Sequence, residues 1–152
     1  MARTDKTDKT NKTEEELRRL SVEMRYLEQT GEALQQRISM VNAAIADLTY
    51  AHMTLDGIEK EKENAELLVP IGGNSYVKAK LADSDTVIVG MGAGVSVEKP
   101  LVEARVTLKE RLDELEKTLN SAQQQFTQVA ERLNSSRARL ETLLSSTREG
   151  KP

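Results

Sequence analysis

Mostly apolar residues recur along two stretches of this chain at steps that alternate strictly between three and four, with Gly31 and His52 breaking the apolar rule in the first. The first stretch runs Leu17, Leu20, Met24, Leu27, Gly31, Leu34, Ile38, Val41, Ile45, Leu48, His52 and Leu55. The second runs Leu101, Arg105, Leu108, Leu112, Leu115, Leu119, Ala122, Phe126, Val129, Leu133, Ser136, Leu140 and Leu143. Such spacing gathers one residue type on a narrow helical face, the seam of a coiled coil. Thr13 followed by Glu16 has the capping-box pattern, which predicts a helix start at Thr13. The charged run 59–66 predicts fraying of that helix. Pro100 fits the first turn of the second helix, where a missing N–H costs nothing, and Gly150 and Pro152 predict its end.

Between the helices the period changes. Residues 66–99 are rich in β-branched side chains and are punctuated by glycines, which predicts strands at 67–71, 75–82, 86–91 and 94–98. Gly72-Gly73-Asn74 and Gly92-Ala93 are suited to hairpin turns because glycine and asparagine tolerate positive φ; Asp83-Ser84-Asp85 joins the two hairpins. Val77, Ala79 and Leu81 alternate with Tyr76, Lys78 and Lys80, giving the second strand one wet face. The first and third strands are apolar on both faces, and isolated hairpins are marginal in water. These strands therefore call for other chains. Pro70 has no N–H to donate and belongs at an edge or a bulge.

The expected fold is α+β: a long antiparallel two-helix coiled coil joined by two β-hairpins. Its parts are a disordered tail at 1–12, a first coiled-coil helix at 13–65, a double-hairpin assembly module at 66–99 and a second helix at 100–149. The two seams have nearly equal length and the module reverses the chain, so they should pair with each other. With Leu55 facing Arg105, His52 faces Leu108, Gly31 faces Val129 beside Phe126, and Leu17 faces Leu143. Both chain ends then lie at a free tip.

Composition narrows the chemistry. Aromatics make up 3% of the 152 residues and tryptophan is absent, too little for a thick globular core, while 31% are charged. That balance suits an elongated helical protein. A net charge of −3 with mixed signs throughout gives no nucleic-acid surface. The lack of cysteine excludes thiol catalysis and thiolate metal sites. No apolar run reaches the roughly 20 residues a membrane helix needs, and the first residues lack the apolar core of a secretory signal. A cytoplasmic protein is expected.

Few residues suit catalysis. Gly90-Met91-Gly92-Ala93-Gly94 opens like a phosphate loop, but strand sequence follows where such a loop needs a helix N-terminus. A hairpin turn explains it better than a nucleotide site. His52, the single histidine, has Leu48 and Leu55 as seam neighbours and no partner ligands, so a register-setting role outweighs a metal role. No catalytic residue, cofactor or metal is expected. The tip is more informative. Leu17, Leu20, Met24, Leu140 and Leu143 end the seam there, Val22 and Tyr26 lie off it, and Leu144 flanks it. Exposed apolar groups of this kind take up apolar segments of other proteins; ordinary fraying with incidental exposure accounts for them equally well.

The pattern resembles the prefoldin alpha subunit. The resemblance is carried by L-V-P-I-G-G-N-S-Y-V-K-A-K-L, by V-I-V-G-M-G-A-G-V-S-V-E-K and by Glu103-Ala104, and it extends over roughly residues 14–145. Two hairpins between the helices match the alpha type. The resemblance implies an ATP-independent chaperone assembled from two alpha and four beta-type subunits, with the strands forming an oligomeric β-barrel. It implies that the tips hold unfolded client proteins and pass them to a group II chaperonin. Carried onto this chain, the client surface is Leu17, Leu20, Met24, Leu140, Leu143 and Leu144, with Val22 and Tyr26 beside it. The assembly surface is Leu67, Val69, Ile71, Val77, Val87, Val89, Val95 and Val97. A prefoldin-like scaffold that recognises a folded partner is the alternative.

Overall fold

The structure, a computed structural model, describes residues 2–150. Two long helices enclose four strands in sequence: α1 (Ala2–Glu59), β1 (Glu66–Gly72), β2 (Ser75–Lys80), β3 (Thr86–Gly92), β4 (Val95–Pro100) and α2 (Leu101–Glu149). The described residues fall into two compact units. One comprises the chain up to Val41 and from Thr118 onward, the other Asn42–Lys117.

In the first unit α1 and α2 lie side by side and run in opposite directions. Leu20, Leu27, Leu34, Val41, Ala122, Ser136 and Leu143 are buried between them. Gly31 faces Val129 and Phe126, as the heptad spacing predicts. The start of α1 differs from expectation. Residues 2–12, expected as a disordered tail, are helical from Ala2, and Met1 lies outside the described residues. Thr13 therefore caps nothing: its Oγ1 donates to the Lys9 carbonyl at 2.8 Å, as Thr7 does to Arg3 and Thr10 to Lys6. The physical reason is cooperativity. Extending an existing helix avoids the nucleation cost, no glycine or proline intervenes, and Asp5–Lys9 and Asp8–Lys12 have the favourable i,i+4 spacing. At the other terminus the Gly150 N–H donates to the Ser146 carbonyl at 3.2 Å. Pro152, expected to help end α2, lies outside the described residues.

In the second unit each hairpin is a separate two-stranded antiparallel sheet, β1 with β2 and β3 with β4. The hairpins repeat one design. Val69 pairs with Val77 and Val89 with Val97, and a register shift falls between Pro70 and Gly72 in one and between Gly90 and Gly92 in the other. Pro70 thus sits where the ladder is already irregular. Both turns use three consecutive positive-φ residues, Gly72-Gly73-Asn74 and Gly92-Ala93-Gly94, so the second glycine cluster is a turn between strands.

The hairpins are tied down at their bases. Leu81 and the Asn64–Ala65 backbone exchange two hydrogen bonds of 2.7 and 2.9 Å beneath the first hairpin. Asp83 accepts from the Asp85 N–H at 2.8 Å and from Thr86 Oγ1 at 2.9 Å, an Asx turn that holds its carboxyl below the usual aspartate range. The Leu101 N–H, at the start of α2, donates to the Asp85 carbonyl at 2.7 Å. Pro100 is correspondingly the last residue of β4, paired with Thr86, and not part of the helical first turn as expected. α1 stops at Glu59, short of the expected 65, at the first residue of the charged run. Val89 closes the small core of this unit with Leu55, Leu101 and Ala104, and Ile58, Val87 and Leu108 pack around it.

Candidate functional site

Two surfaces carry unmet apolar area, one in each unit. In the first unit the expected client residues divide into two sets. Leu20 and Leu143 are 8% and 7% exposed, and Leu17, Met24 and Leu140 are half-buried, so the seam is closed in this structure. Val22, Tyr26 and Leu144 are exposed. Val22 and Tyr26 stand one turn apart on α1, away from the seam. Met40, Tyr50 and Met53 are exposed further along α1 as well, so it is the grouping of Val22, Tyr26 and Leu144 near the helix ends, more than exposure itself, that makes this a candidate docking surface.

Sequence reading missed the ion pairs that bracket this closed seam. Arg139 grips Glu16 through both Nε and Nη2, at 2.8 and 3.3 Å, a two-pronged carboxylate contact. Arg132 Nε reaches Glu23 at 2.6 Å and Arg137 Nη2 reaches Glu28 at 3.4 Å. Each glutamate belongs to α1 and each arginine to α2. The arginine hydrogen bond holds the Glu16 carboxyl below the usual glutamate range, with the arginine's charge adding to it, and Glu16 in turn holds Arg139 above its own. The signal was present in the heptads. Glu16, Glu23, Arg132 and Arg139 each immediately precede a seam residue, and charges at such positions meet across an antiparallel pair.

Closer to the chain termini than the Glu16–Arg139 pair, no cross-helix hydrogen bond joins the ends of α1 and α2 among the described residues. The hydroxyls of Thr13, Ser146 and Thr147 are all used on backbone carbonyls of their own helices.

In the second unit the expected assembly residues also divide. Val69, Ile71, Val77, Val95 and Val97 are exposed and Leu67 is half-buried. Val87 is half-buried and Val89 is 5% exposed, because both face the chain's own core. Leu68 and Ile88, which the sequence reading did not single out, are exposed instead, Ile88 at 77%. Neither sheet has a third strand among the described residues, so every strand keeps one backbone edge unpaired. His52 lies at the helix end of this unit with its Nδ1 enclosed and lacking a hydrogen-bond partner. Arg105, a charged seam residue, is neutralised by Asp56 and by Glu59, the latter at 2.8 Å.

Among the described residues no helix is long and apolar enough to cross a membrane, and no cluster of three or more metal-ligating side chains occurs. Two antiparallel helices and two short sheets with open edges define a coiled-coil fold with paired hairpins.

Comparison with known proteins gives the family. The family model described as "Prefoldin subunit" matches residues 27–146. The prefoldin subunit alpha of Methanococcoides burtonii is 35% identical over 122 residues, covering 80% of this chain and 88% of that protein. That of Pyrococcus horikoshii is 32% identical over 119 residues, covering 78% and 80%. The chain belongs to the prefoldin family, and these relatives are of the alpha type. Solved structures share the fold. A chain of the filamentous PFD from Methanocaldococcus jannaschii matches with a TM-score of 0.67 at 24% identity, covering 78% of this chain and 98% of that one. The prefoldin beta subunit from Thermococcus strain KS-1 matches at 0.55 and 18% identity, covering 83% and 90%. The family is one of chaperone subunits and not of enzymes.

Proposed function

We propose that this chain is the alpha-type subunit of a cytoplasmic, ATP-independent holdase. In this reading two copies assemble with four beta-type subunits, the strands of all six close into a β-barrel, and the helix ends hold unfolded proteins until a group II chaperonin takes them. The observation that carries the reading is the apolar exposure beside a closed seam: Val22, Tyr26 and Leu144 are offered to solvent near the helix ends that carry the chain termini. The open strand edges and exposed valines of the hairpins support assembly through this module.

Energetics favour many weak contacts. Each helix end presents a small apolar area, and association costs offset most of what that area contributes at about 25 cal/mol per Å². Several ends around one client raise the effective concentration of each next contact, which gives firm holding with stepwise release. Such a cycle has no use for nucleotide.

The test is light scattering from a client diluted out of denaturant. It compares the chain co-assembled with a beta-type partner against the same complex trimmed to residues 27–133. Suppression of aggregation without ATP by the intact complex alone supports the holdase. An intact complex that assembles and leaves aggregation unchanged overturns it, and points to an adaptor that recognises a folded partner.

A further inference from the structure

The closed seam and the exposed trio beside it pose a physical problem. If clients are to reach the largest apolar area of the first unit, they need the leucines between the helices, yet Leu20 and Leu143 are 8% and 7% exposed. Those leucines become available only when the ends of α1 and α2 separate.

The forces that hold the ends together are few and nameable. Past Leu17 and Leu143 the seam positions turn to Thr13 and Thr10 on α1. The hydroxyls around them bond within their own helices, so they make no bridge across. Of the cross-helix polar contacts, the one nearest the chain termini is the Glu16–Arg139 pair. It sits beside the Leu17 and Leu140 layers and is followed inward by Glu23–Arg132 and Glu28–Arg137. It is also the only two-pronged one of the three.

We infer that the Glu16–Arg139 ion pair is a latch that sets how often the seam leucines Leu20 and Leu143 open to clients. The inference rests on the holdase reading for what the opening is used for, but the opening itself is measurable without a client. An exposed pair of this kind contributes little, and salt screens it. That weakness suits a latch, because the closed and open forms must interconvert on the time scale of client capture. The arrangement of charges also limits wrong pairing. All three glutamates lie on one helix and all three arginines on the other, so a slip of a full heptad would set Glu16 or Arg139 at the end without its partner.

The chain has no cysteine, so one introduced at Leu143 is a probe free of background within this subunit. The experiment uses the complex with its beta-type partner and follows alkylation of Leu143→Cys by mass spectrometry of this chain's own peptide. Backgrounds are the native sequence, Glu16→Arg, Arg139→Glu and the double reversal. Backbone amide exchange over residues 12–24 and 136–148, without the cysteine, guards against a seam weakened by the probe itself.

Each single reversal is expected to raise the labelling rate roughly two- to five-fold, the range an exposed ion pair commands, and the double reversal to bring it back toward the native rate. Amide exchange should follow the same order. Unchanged rates in the single reversals, or a double reversal that stays fast, overturn the latch. Client capture is then measured on the same four complexes. If labelling rises and recovers while capture stays flat, the latch stands, and client binding at the seam leucines is what fails.

Discussion

Gly31 and Val129 face each other across the helix pair with room between them. A Cβ built on Gly31 meets Val129 Cγ1 at 3.7 Å and Phe126 Cε2 at 3.9 Å, ordinary contact distances. The ring and the valine close around the glycine without occupying the place of a methyl group. Glycine in a helix interior costs roughly 0.5–1 kcal/mol relative to alanine. Gly31→Ala should therefore stabilise the complex by about that amount in urea unfolding. Gly31→Leu should destabilise it, since the extra atoms have to enter Val129 and Phe126. A destabilising alanine would mean that the glycine is kept for a closer approach than this packing contains.

The hairpin turns offer a matched pair of substitutions. Gly73 and Ala93 occupy corresponding positions with φ of 55° and 52°. The left-handed region costs a residue with a Cβ about 1 kcal/mol. Ala93→Gly should then stabilise its hairpin by about 0.5–1 kcal/mol, and Gly73→Ala should weaken the other by a similar amount. Amide exchange of β3–β4 and of β1–β2 reads the two effects separately, and equal signs for both would contradict the argument.

Neighbouring residues on β3 should fail in different ways. Val89 is packed against Leu55, Leu101 and Ala104, so Val89→Ala removes buried carbons, leaves a cavity and should cost about 1–3 kcal/mol in the chain itself. Ile88 faces outward, and Ile88→Ala should change the chain's own stability by no more than about 0.5 kcal/mol. Under the proposed assembly its effect should instead be a raised dissociation constant for the beta-type partner, read by sedimentation.

Acid should loosen the helix ends of the first unit. The Glu16 carboxyl is held below its ordinary 4.5 by Arg139, so the pair's contribution is fully present above that value and is lost as pH falls through the lowered one. Carbon-detected titration of the Glu16 carboxyl should give a depressed pKa in the native chain and a return toward 4.5 in Arg139→Ala. A carboxyl that titrates identically in both would show that the pair does not persist in solution.

How much of this was legible beforehand depended on whether local sequence or tertiary context decides the feature. The seams were legible because a strict three–four alternation can face only one way, and the contact of Gly31 with Val129 follows from the same spacing. The turns were legible because consecutive glycines and an asparagine have few other uses. The start of α1 was not. Thr13–Glu16 makes a correct capping box only if the chain before it leaves the helix, and nothing in the preceding residues forces that. Pro100 misled for a related reason: an N–H is dispensable both in a helix's first turn and at the end of an edge strand. The inward face of β3 was illegible in principle. Val87, Ile88 and Val89 are all apolar, and only the packing of Leu55 and Leu101 decides which of them turns in. The glutamates and arginines beside the seam could have been read, since their heptad positions are as regular as the leucines'.

The two sheets of two strands have a consequence for supply inside a cell. Each strand keeps an open row of amide and carbonyl groups, flanked by Leu68, Ile71, Ile88 and Val97 in the open. An unoccupied row of that kind is a template on which any passing extended segment can add, including the same segment from another copy. In the proposed assembly the chain is thus most at risk of aggregation when it is made faster than the partners whose strands would cover those rows. Matching its synthesis to theirs, or degrading the surplus, would protect the cell from a chaperone subunit that is itself prone to stick.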